Sequence, residues 1–573
     1  MKNYVEIPNN ALDIQISSNL QVFNDSVNTI QGDNFYRFTT SSRSSFSLDL
    51  SDLQQDADVR LIQDINGNQI IDGNEEVIAK SNFGGTRSES IDETLNEGTY
   101  YIQVYPYREA STSYKLSVSL IPENSSESTP ENTDVNTISS TVPQSNQSIR
   151  YVEGNFWAET FTYDSNYNIN IFSGNGSVNY DTGAREVLNL SDISSSSVNV
   201  NLADTVSGGV VYNPGDGARV FDAINFNDGR QILFESLDAV IFSDDIVYLS
   251  VTPNDPSFNE QSNLHMTSTH HAWRFTTGNE NALVGIVDTG LGTGEDGNIH
   301  PDLQPVTSNS DQYLDEWSDF SHGTSVAGTI AAESNNGQGI AGINWDSSYY
   351  VVDVVGNDAG DEDLAGAVEL IINQANSNNQ KAVINLSLIG GYSTEFEQLV
   401  ANNQNNALFV IASGNDNENT LASPANLASE YDNVLAVGAS WLDEDWNGNS
   451  RNPGDRIDYS NEGWWSSNSG NGLTLMAPSE FTTTRSELDS SGSYHNHSYD
   501  SRFNGTSAST TMVSGIVSLL WSVNSNLTST QIKSILSETA TDVGAAGYDT
   551  QYGHGIINAD KAMRRAIAIA RGA

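Results

Sequence analysis

Asn504-Gly-Thr-Ser-Ala-Ser-Thr-Thr-Met-Val-Ser-Gly515 is the stretch on which the reading of this chain turns. Small residues crowd Ser507 where a polar loop passes into the apolar run Ile516–Trp521, which predicts an exposed hydroxyl in the first turn of a helix. Backbone N–H groups there lack partners within the helix and present the positive end of its dipole to an oxyanion forming beside Ser507. A serine hydroxyl attacks well only when a neighbouring base takes its proton. A histidine and a carboxylate are therefore expected elsewhere.

Both lie upstream. Val284-Gly-Ile-Val-Asp-Thr-Gly290 reads as an apolar strand running into Asp288, with a glycine to turn the chain away. Ser321-His-Gly-Thr-Ser-Val-Ala-Gly328 reads as the start of a small-residue helix with His322 in its first turn. In all three motifs, and in the order Asp, His, Ser, the sequence resembles the subtilisin-like serine peptidases, the subtilases. The resemblance covers about the last 320 residues, a large single domain.

It implies that Ser507 attacks a scissile carbonyl, His322 takes and returns the proton, and Asp288 holds the imidazole. Taken singly, the three also read as a capping serine, a helix-start histidine and a strand-end aspartate. Leu408-Phe-Val-Ile-Ala-Ser-Gly-Asn415 reads as a buried strand ending in an amide, and the resemblance makes Asn415 an oxyanion donor beside the Ser507 N–H. By the same resemblance Ser387, Leu388 and Ile389 pair with extended peptide, while Ala412, Ser413 and Gly414 form the facing wall of the primary specificity pocket.

Three further segments, Pro253–Pro256, His300–Leu303 and Glu333–Ile340, resemble the strong calcium site of thermostable subtilases. The implied Ca²⁺ ligands are the side chains of Asp255, Asp302 and Asn336 and the carbonyls of Glu333, Gln338 and Ile340, all hard oxygen donors. The chain also departs from the family pattern: Ala508-Ser509 and Thr511 stand where Met-Ala and a proline are usual, and Ser325 replaces a second histidine. Asn357-Asp-Ala-Gly-Asp-Glu-Asp363 reads either as a dipole-stabilising helix start or as a subsite for basic side chains.

With 573 residues the chain is too long for one core. Lys+Arg 23 against Asp+Glu 74, a formal net charge of -51, argues against nucleic acid or an anionic membrane surface as partner. The absence of cysteine excludes disulfides and a thiol nucleophile. No apolar run is long enough to span a bilayer, and Met1–Asn10 holds no apolar signal core. The expectation is a monomer without a transmembrane segment, acting on protein or peptide substrates. An extracellular or cell-surface location without a recognisable N-terminal signal is expected, with a cytoplasmic one left open.

Residues 13–121 alternate short apolar runs with Asn, Ser, Gly and Asp clusters, the pattern of an all-β sandwich. Asp56-Ala-Asp-Val-Arg-Leu61 and Gly98-Thr-Tyr-Tyr-Ile-Gln-Val104 resemble the bacterial pre-peptidase C-terminal domain. Within it, Asp64, Asn66, Asn68, Asp72 and Glu75 fall at oxygen positions of a calcium-loop pattern, although Gln69 sits where that pattern wants glycine, so a plain β-turn is the competing reading. Residues 122–150 read as a flexible linker. Residues 151–252 form a second β-rich module, resembling segments that neighbour glycine-rich calcium repeats, with a removable pro-region as the alternative.

From 253 to 573 apolar β-branched runs alternate with amphipathic segments, predicting a parallel sheet flanked by helices. His270-His271 and His495-Asn-His497 read as polar surface segments rather than metal sites. The fold class is thus multidomain, an α/β domain preceded by two all-β regions. The functional expectation is a serine endopeptidase; the alternative is a non-catalytic acidic binding or adhesion protein carrying a degenerate peptidase domain.

Overall fold

A computed structural model describes residues 5–6, 11–14, 21–28, 33–40, 44–51, 53–55, 57–63, 70–71, 76–81, 89–95, 98–106, 111–122, 148–306, 314–315, 321–346, 348–355 and 363–573. The expected calcium-loop ligands Asp64, Asn66, Asn68, Asp72 and Glu75, most of the acidic run Asn357–Asp363 and nearly all of the expected linker lie outside the described residues. The chain divides into two compact units, Met1–Thr137 and Ile138–Ala573.

The first unit holds two antiparallel-rich sheets of five and four strands. In the five-stranded sheet Gly98–Pro106 lies between Asn34–Thr40 and Ala57–Gln63, and in the other Ser111–Pro122 lies between Gln21–Asn28 and Ser44–Ser51. Alternate side chains turn inward, so that Phe38, Leu48, Leu50, Leu61, Tyr100, Ile102, Leu116 and Val118 make one core. The Tyr36 and Tyr114 hydroxyls meet at 2.6 Å inside it.

The second unit is organised by six parallel strands in the spatial order Tyr349–Asp353, Ala282–Asp288, Lys381–Leu386, Ala407–Ala412, Val434–Ser440 and Leu473–Pro478. Their residues are buried almost without exception, because helices cover both faces and the strands read as continuous Val/Ile/Leu/Ala runs. Chain order reverses between Ala282–Asp288 and Lys381–Leu386, and such a switch opens a crevice at the carboxyl ends of the two strands. Asp288 and Ser387 stand on either side of it.

Helix Gly505–Val523 runs through the middle, with every residue from Gly505 to Trp521 buried. Its small residues permit close approach: a Cβ on Gly515 would meet Ile343 at 2.8 Å. Its buried hydroxyls are satisfied, Thr510 by the Thr506 carbonyl (2.7 Å), Ser514 by Asn385 Oδ1 (2.8 Å) and Ser509 by the Ala477 carbonyl (2.9 Å). Among the described residues, no helix is long and apolar enough to cross a membrane.

Residues 151–252 belong to the same compact unit as the α/β region. The first strands there are laid alternately into two sheets: Ile149–Glu153, Ile169–Ser173 and Gln231–Glu235 pair parallel in one, where Arg219–Phe226 then joins antiparallel, and Thr160–Thr162, Val187–Leu190 and Ala239–Phe242 pair parallel in the other. This parallel coil is joined to the C-terminal helix Ala559–Ala570 by buried charges. Arg564 donates to Asp222 at 2.8 Å and to Asp560 at 2.7 Å, Arg274 donates twice to Asp222, and Lys561 reaches Glu153 at 2.8 Å.

The joint corrects one sequence reading. His270 and His271 are not at the surface; both are buried, and both Nε2 atoms approach Asp238 Oδ1, at 3.1 and 3.2 Å. These three are the described residues whose ligand atoms could converge on a metal. The arrangement is better served by hydrogen bonds, because both Nδ1 atoms are buried without a partner, and an Nε2-bound metal would leave their N–H groups without the acceptor that such ligands need.

A second correction concerns His495 and His497. They lie on the hairpin of Phe481–Leu488 with His495–Phe503, not in a surface loop. His497 Nδ1 is 2.8 Å from Ser486 Oγ, and His495 is buried. The hairpin packs on helix His322–Ala331: a Cβ on Gly328 would overlap Thr484, and Ser325, in place of the family's second histidine, donates to the Thr484 carbonyl at 2.9 Å.

Candidate active site

Asp288 ends its strand at the carboxyl edge of the sheet. Its Oδ1 accepts the Thr289 N–H at 2.8 Å and pairs with His322 Nδ1 at 2.7 Å. His322 opens its helix and is held by a Gly323 N–H bond to Thr289 Oγ1 (3.0 Å) and by an edge contact with the Phe503 ring. Gly323 is required there, since a Cβ would meet the Gly290 carbonyl oxygen at 2.1 Å. Burial disfavours the imidazolium, but attraction to Asp288 and the hydrogen bond outweigh it and raise the His322 pKa above its ordinary value. The other ring nitrogen is thereby left to act as a base toward the crevice.

Ser507 lies in the first turn of its helix, following Asn504 and a Gly505 in the left-handed region (φ +81°). Its hydroxyl donates to the Ser387 carbonyl at 2.9 Å, and Ser387 Oγ returns a bond to the Ser507 carbonyl at 3.0 Å. The structure thus pairs Asp288 with His322 directly and parks Ser507 on Ser387; a hydrogen bond from Ser507 to His322 is not formed. Rotating one χ1 between staggered wells redirects the hydroxyl, and such bonds commonly tighten only when substrate is bound.

Asn415 follows strand Ala407–Ala412. Its Oδ1 accepts both the Thr506 N–H (2.9 Å) and the Thr506 hydroxyl (3.0 Å), which fixes the amide so that its NH₂ is the end left to donate. Thr506, absent from the sequence reading as a functional residue, sets this orientation. A Cβ on Gly505 would press against Asn415 Nδ2 at 3.2 Å, a second reason for glycine at that position.

Two segments flank the crevice. Leu388 and Ile389 take no backbone partner among the described residues, and Ile389 is 52% exposed before Gly390 turns away by bonding the Ser423 carbonyl. Ala412 and Ser413 are buried, and Ser413 and Gly414 spend their backbone groups inward, on Val437, Ala422, Thr506 and Asn468. The first segment is an open edge that another strand could join, and the second a closed wall.

The residues expected around calcium are brought together. Asp255 accepts the Asn335 and Asn336 N–H groups, and Asp302 accepts Asn336 Nδ2 (3.0 Å), the Ile340 N–H (3.1 Å) and the Tyr499 hydroxyl (3.1 Å). Burial, with Asp255 nearby, raises the Asp302 pKa. No described residue donates to the carbonyls of Glu333, Gln338 or Ile340. Buried carboxylates without a cationic side chain beside carbonyls without donors are a set that fits a hard cation, although Asn336 here turns its NH₂, not its oxygen, to Asp302.

An acid–imidazole pair, a fixed amide and a helix-start serine thus lie on a doubly wound parallel α/β sheet flanked by helices. The subtilase family model matches residues 279–555, and that of the bacterial pre-peptidase C-terminal domain residues 32–106. An extracellular protease of Xanthomonas campestris pv. campestris is 30% identical over 367 residues, 56% of this chain and 59% of that protein. The subtilisin of Bacillus pumilus is 32% identical over 295 residues, 50% of this chain and 91% of that protein. A solved structure of proteases from Pseudoalteromonas arctica aligns with 55% of this chain and 99% of its own at 26% identity and a TM-score of 0.42. This chain belongs to the subtilase family. It spans 59% of the length of the Xanthomonas relative.

Proposed function

We propose that the chain is a serine endopeptidase that cleaves peptide bonds through an acyl-enzyme. The observation that carries this is the 2.7 Å Asp288–His322 pair, together with a helix-start serine whose neighbour Thr506 fixes the Asn415 amide. Substrate backbone lies along Ser387–Ile389 as an added strand, with a side chain against Ala412–Gly414. Ser507 attacks the carbonyl while His322 takes its proton; Asp288 keeps the imidazole oriented and stabilises its cation. The developing oxyanion takes hydrogen bonds from Asn415 Nδ2 and the Ser507 N–H. His322 then protonates the leaving amine, and water repeats the cycle on the acyl group.

The test is hydrolysis of quenched-fluorescent peptides by the purified chain. Asn415→Ala is expected to lower kcat about 10²–10³-fold with little change in KM, the scale set by removing the corresponding donor in subtilisin. A folded wild type that cuts no peptide overturns the reading and favours the binding-protein alternative.

Asp255, Asp302 and Asn336, with the three loop carbonyls, would hold a structural Ca²⁺ that ties the segment before Ser257 to the loop Glu333–Ile340. Chelation is expected to lower Tm by about 3 °C, the effect of losing roughly 3 kcal/mol of ligand stabilisation from a unit as large as Ile138–Ala573. Asp302→Asn should remove most of that sensitivity; a Tm indifferent to chelator in the wild type would contradict the site. The acidic surface and the extracellular relative together support secretion.

A further inference from the structure

A cleft of about 700 Å³ opens at the exposed side of His322. None of its lining residues comes from Ser387–Ile389 or Ala412–Gly414; besides His322 and Asn504 they come from the hairpin and from the loop between the last two sheet strands. His322 must hand its proton to the departing amine, so a cavity bounded by His322 and Asn504 receives the part of the substrate that follows the scissile bond.

One wall is aromatic. Trp446 and Trp464 lie 4.9 Å apart, with Trp464 44% exposed, and the pair rests on a buried cluster of Trp441, Ile457 and Tyr459. Arg451 clamps that cluster, lying 4.6 Å over Trp441 while bonded to Asp445 and Glu462. The wall is therefore held from behind.

The cleft also holds two guanidinium groups. Arg485 is answered by Asp500 at 2.6 Å and Glu487 at 3.3 Å. Arg502 is exposed, stands 5.7 Å over the Trp446 ring and has no carboxylate partner among the described residues; Asp500 touches only its backbone N–H. Glu480 accepts the backbone N–H of Trp446, and burial pushes that carboxyl up to about 7. In a chain with 74 acidic residues against 23 basic ones, a cation without a carboxylate partner in the cleft that His322 also lines is a recognition feature for an anion.

We propose that this cleft is a leaving-group-side subsite in which Arg502 binds a substrate carboxylate while the Trp446–Trp464 wall receives the attached carbons, making Arg502 a specificity-determining residue. The proposal rests on the serine-peptidase reading. The carboxylate is that of an acidic side chain one or two positions after the scissile bond, or the α-carboxylate of a substrate ending there.

The test compares kcat/KM for quenched-fluorescent peptides that differ only by Glu or Gln at the first or second position after the cut, with amidated C-termini. A second pair ends two residues after the cut as acid or amide. Wild type is expected to favour the carboxylate member of one pair by about 5-fold over the ratio shown by Arg502→Gln, the upper range for a partly exposed ion pair, with Arg502→Lys in between. Preference in the first pair identifies a side chain; in the second, a C-terminus. Equal ratios in wild type and Arg502→Gln, with every peptide still cut by wild type, overturn the subsite and leave the peptidase reading intact. Failure to cut any peptide overturns both.

Discussion

Replacing Ser507 with alanine is expected to lower peptide hydrolysis by about 10⁶-fold, the scale established for triad deletions in subtilisin. Ser507 lies in the first turn of its helix, next in sequence to the Thr506 that fixes the Asn415 amide. Neighbouring Ser509 points away, donating to the Ala477 carbonyl at 2.9 Å, and Thr506 is committed to Asn415. His322→Ala should cost about as much, and the double variant little more than either single one, because the pair acts as a unit. Additive losses would show that two independent routes exist, contrary to the mechanism.

Asp222→Ala is expected to destabilise the Ile138–Ala573 unit by about 3–5 kcal/mol in chemical denaturation. Asp222 is buried and answers two guanidinium groups, Arg274 (2.9 and 3.0 Å) and Arg564 (2.8 Å), besides accepting the Ala203 N–H at 2.7 Å. Removing it leaves buried cations unpaired. Asp222→Ala with Arg564→Met should cost less than the sum of the single changes, since the stranded charge goes too. A loss below about 1 kcal/mol, the scale of a surface pair, would mean that the joint is not sealed.

The joint should also loosen in acid. Burial, with His271 beside it, lowers the His270 pKa to about 4, and burial holds His265 well below 6.5. A histidine depressed in the folded state contributes stability that is complete above the unfolded value near 6.5 and is lost as pH falls toward 4. Asp222, lowered to about 2 by its arginines against the cost of burial, adds a second loss below the ordinary carboxylate range. Glu186, raised by burial and by Asp238 and Glu159, works the other way and is relieved in acid. Unfolding midpoints measured from pH 7 to 4 should fall, and His270→Gln should flatten the slope.

The sheet was legible because its strands are buried on both faces. Lys381–Leu386 is buried from Ala382 onward, and the last helix, Ala559–Ala570, carries its apolar residues at helical spacing. The hairpin Phe481–Phe503 was missed because its inward side chains are polar: Thr483, Thr484 and Ser486 are buried through hydroxyl bonds, so no apolar alternation marks them, although Asp489–Tyr494 has turn composition. The histidine pair could not be placed because its partner, Asp238, belongs to another module and no local periodicity connects them. In the crevice, motif order brought Asp288, His322, Asn415 and Ser507 forward as candidates. Local spacing carries no trace of Thr506 orienting Asn415, of Ser507 resting on Ser387, or of Arg502 and the two indoles, since each depends on which chain segments meet in space.

The most direct measurement is reaction of the folded, calcium-loaded chain with a fluorophosphonate, followed by mass mapping of the adduct. A single adduct on Ser507, lost in His322→Ala, is the predicted result. An unmodified Ser507 in protein whose fold is verified by its cooperative melting would contradict the account.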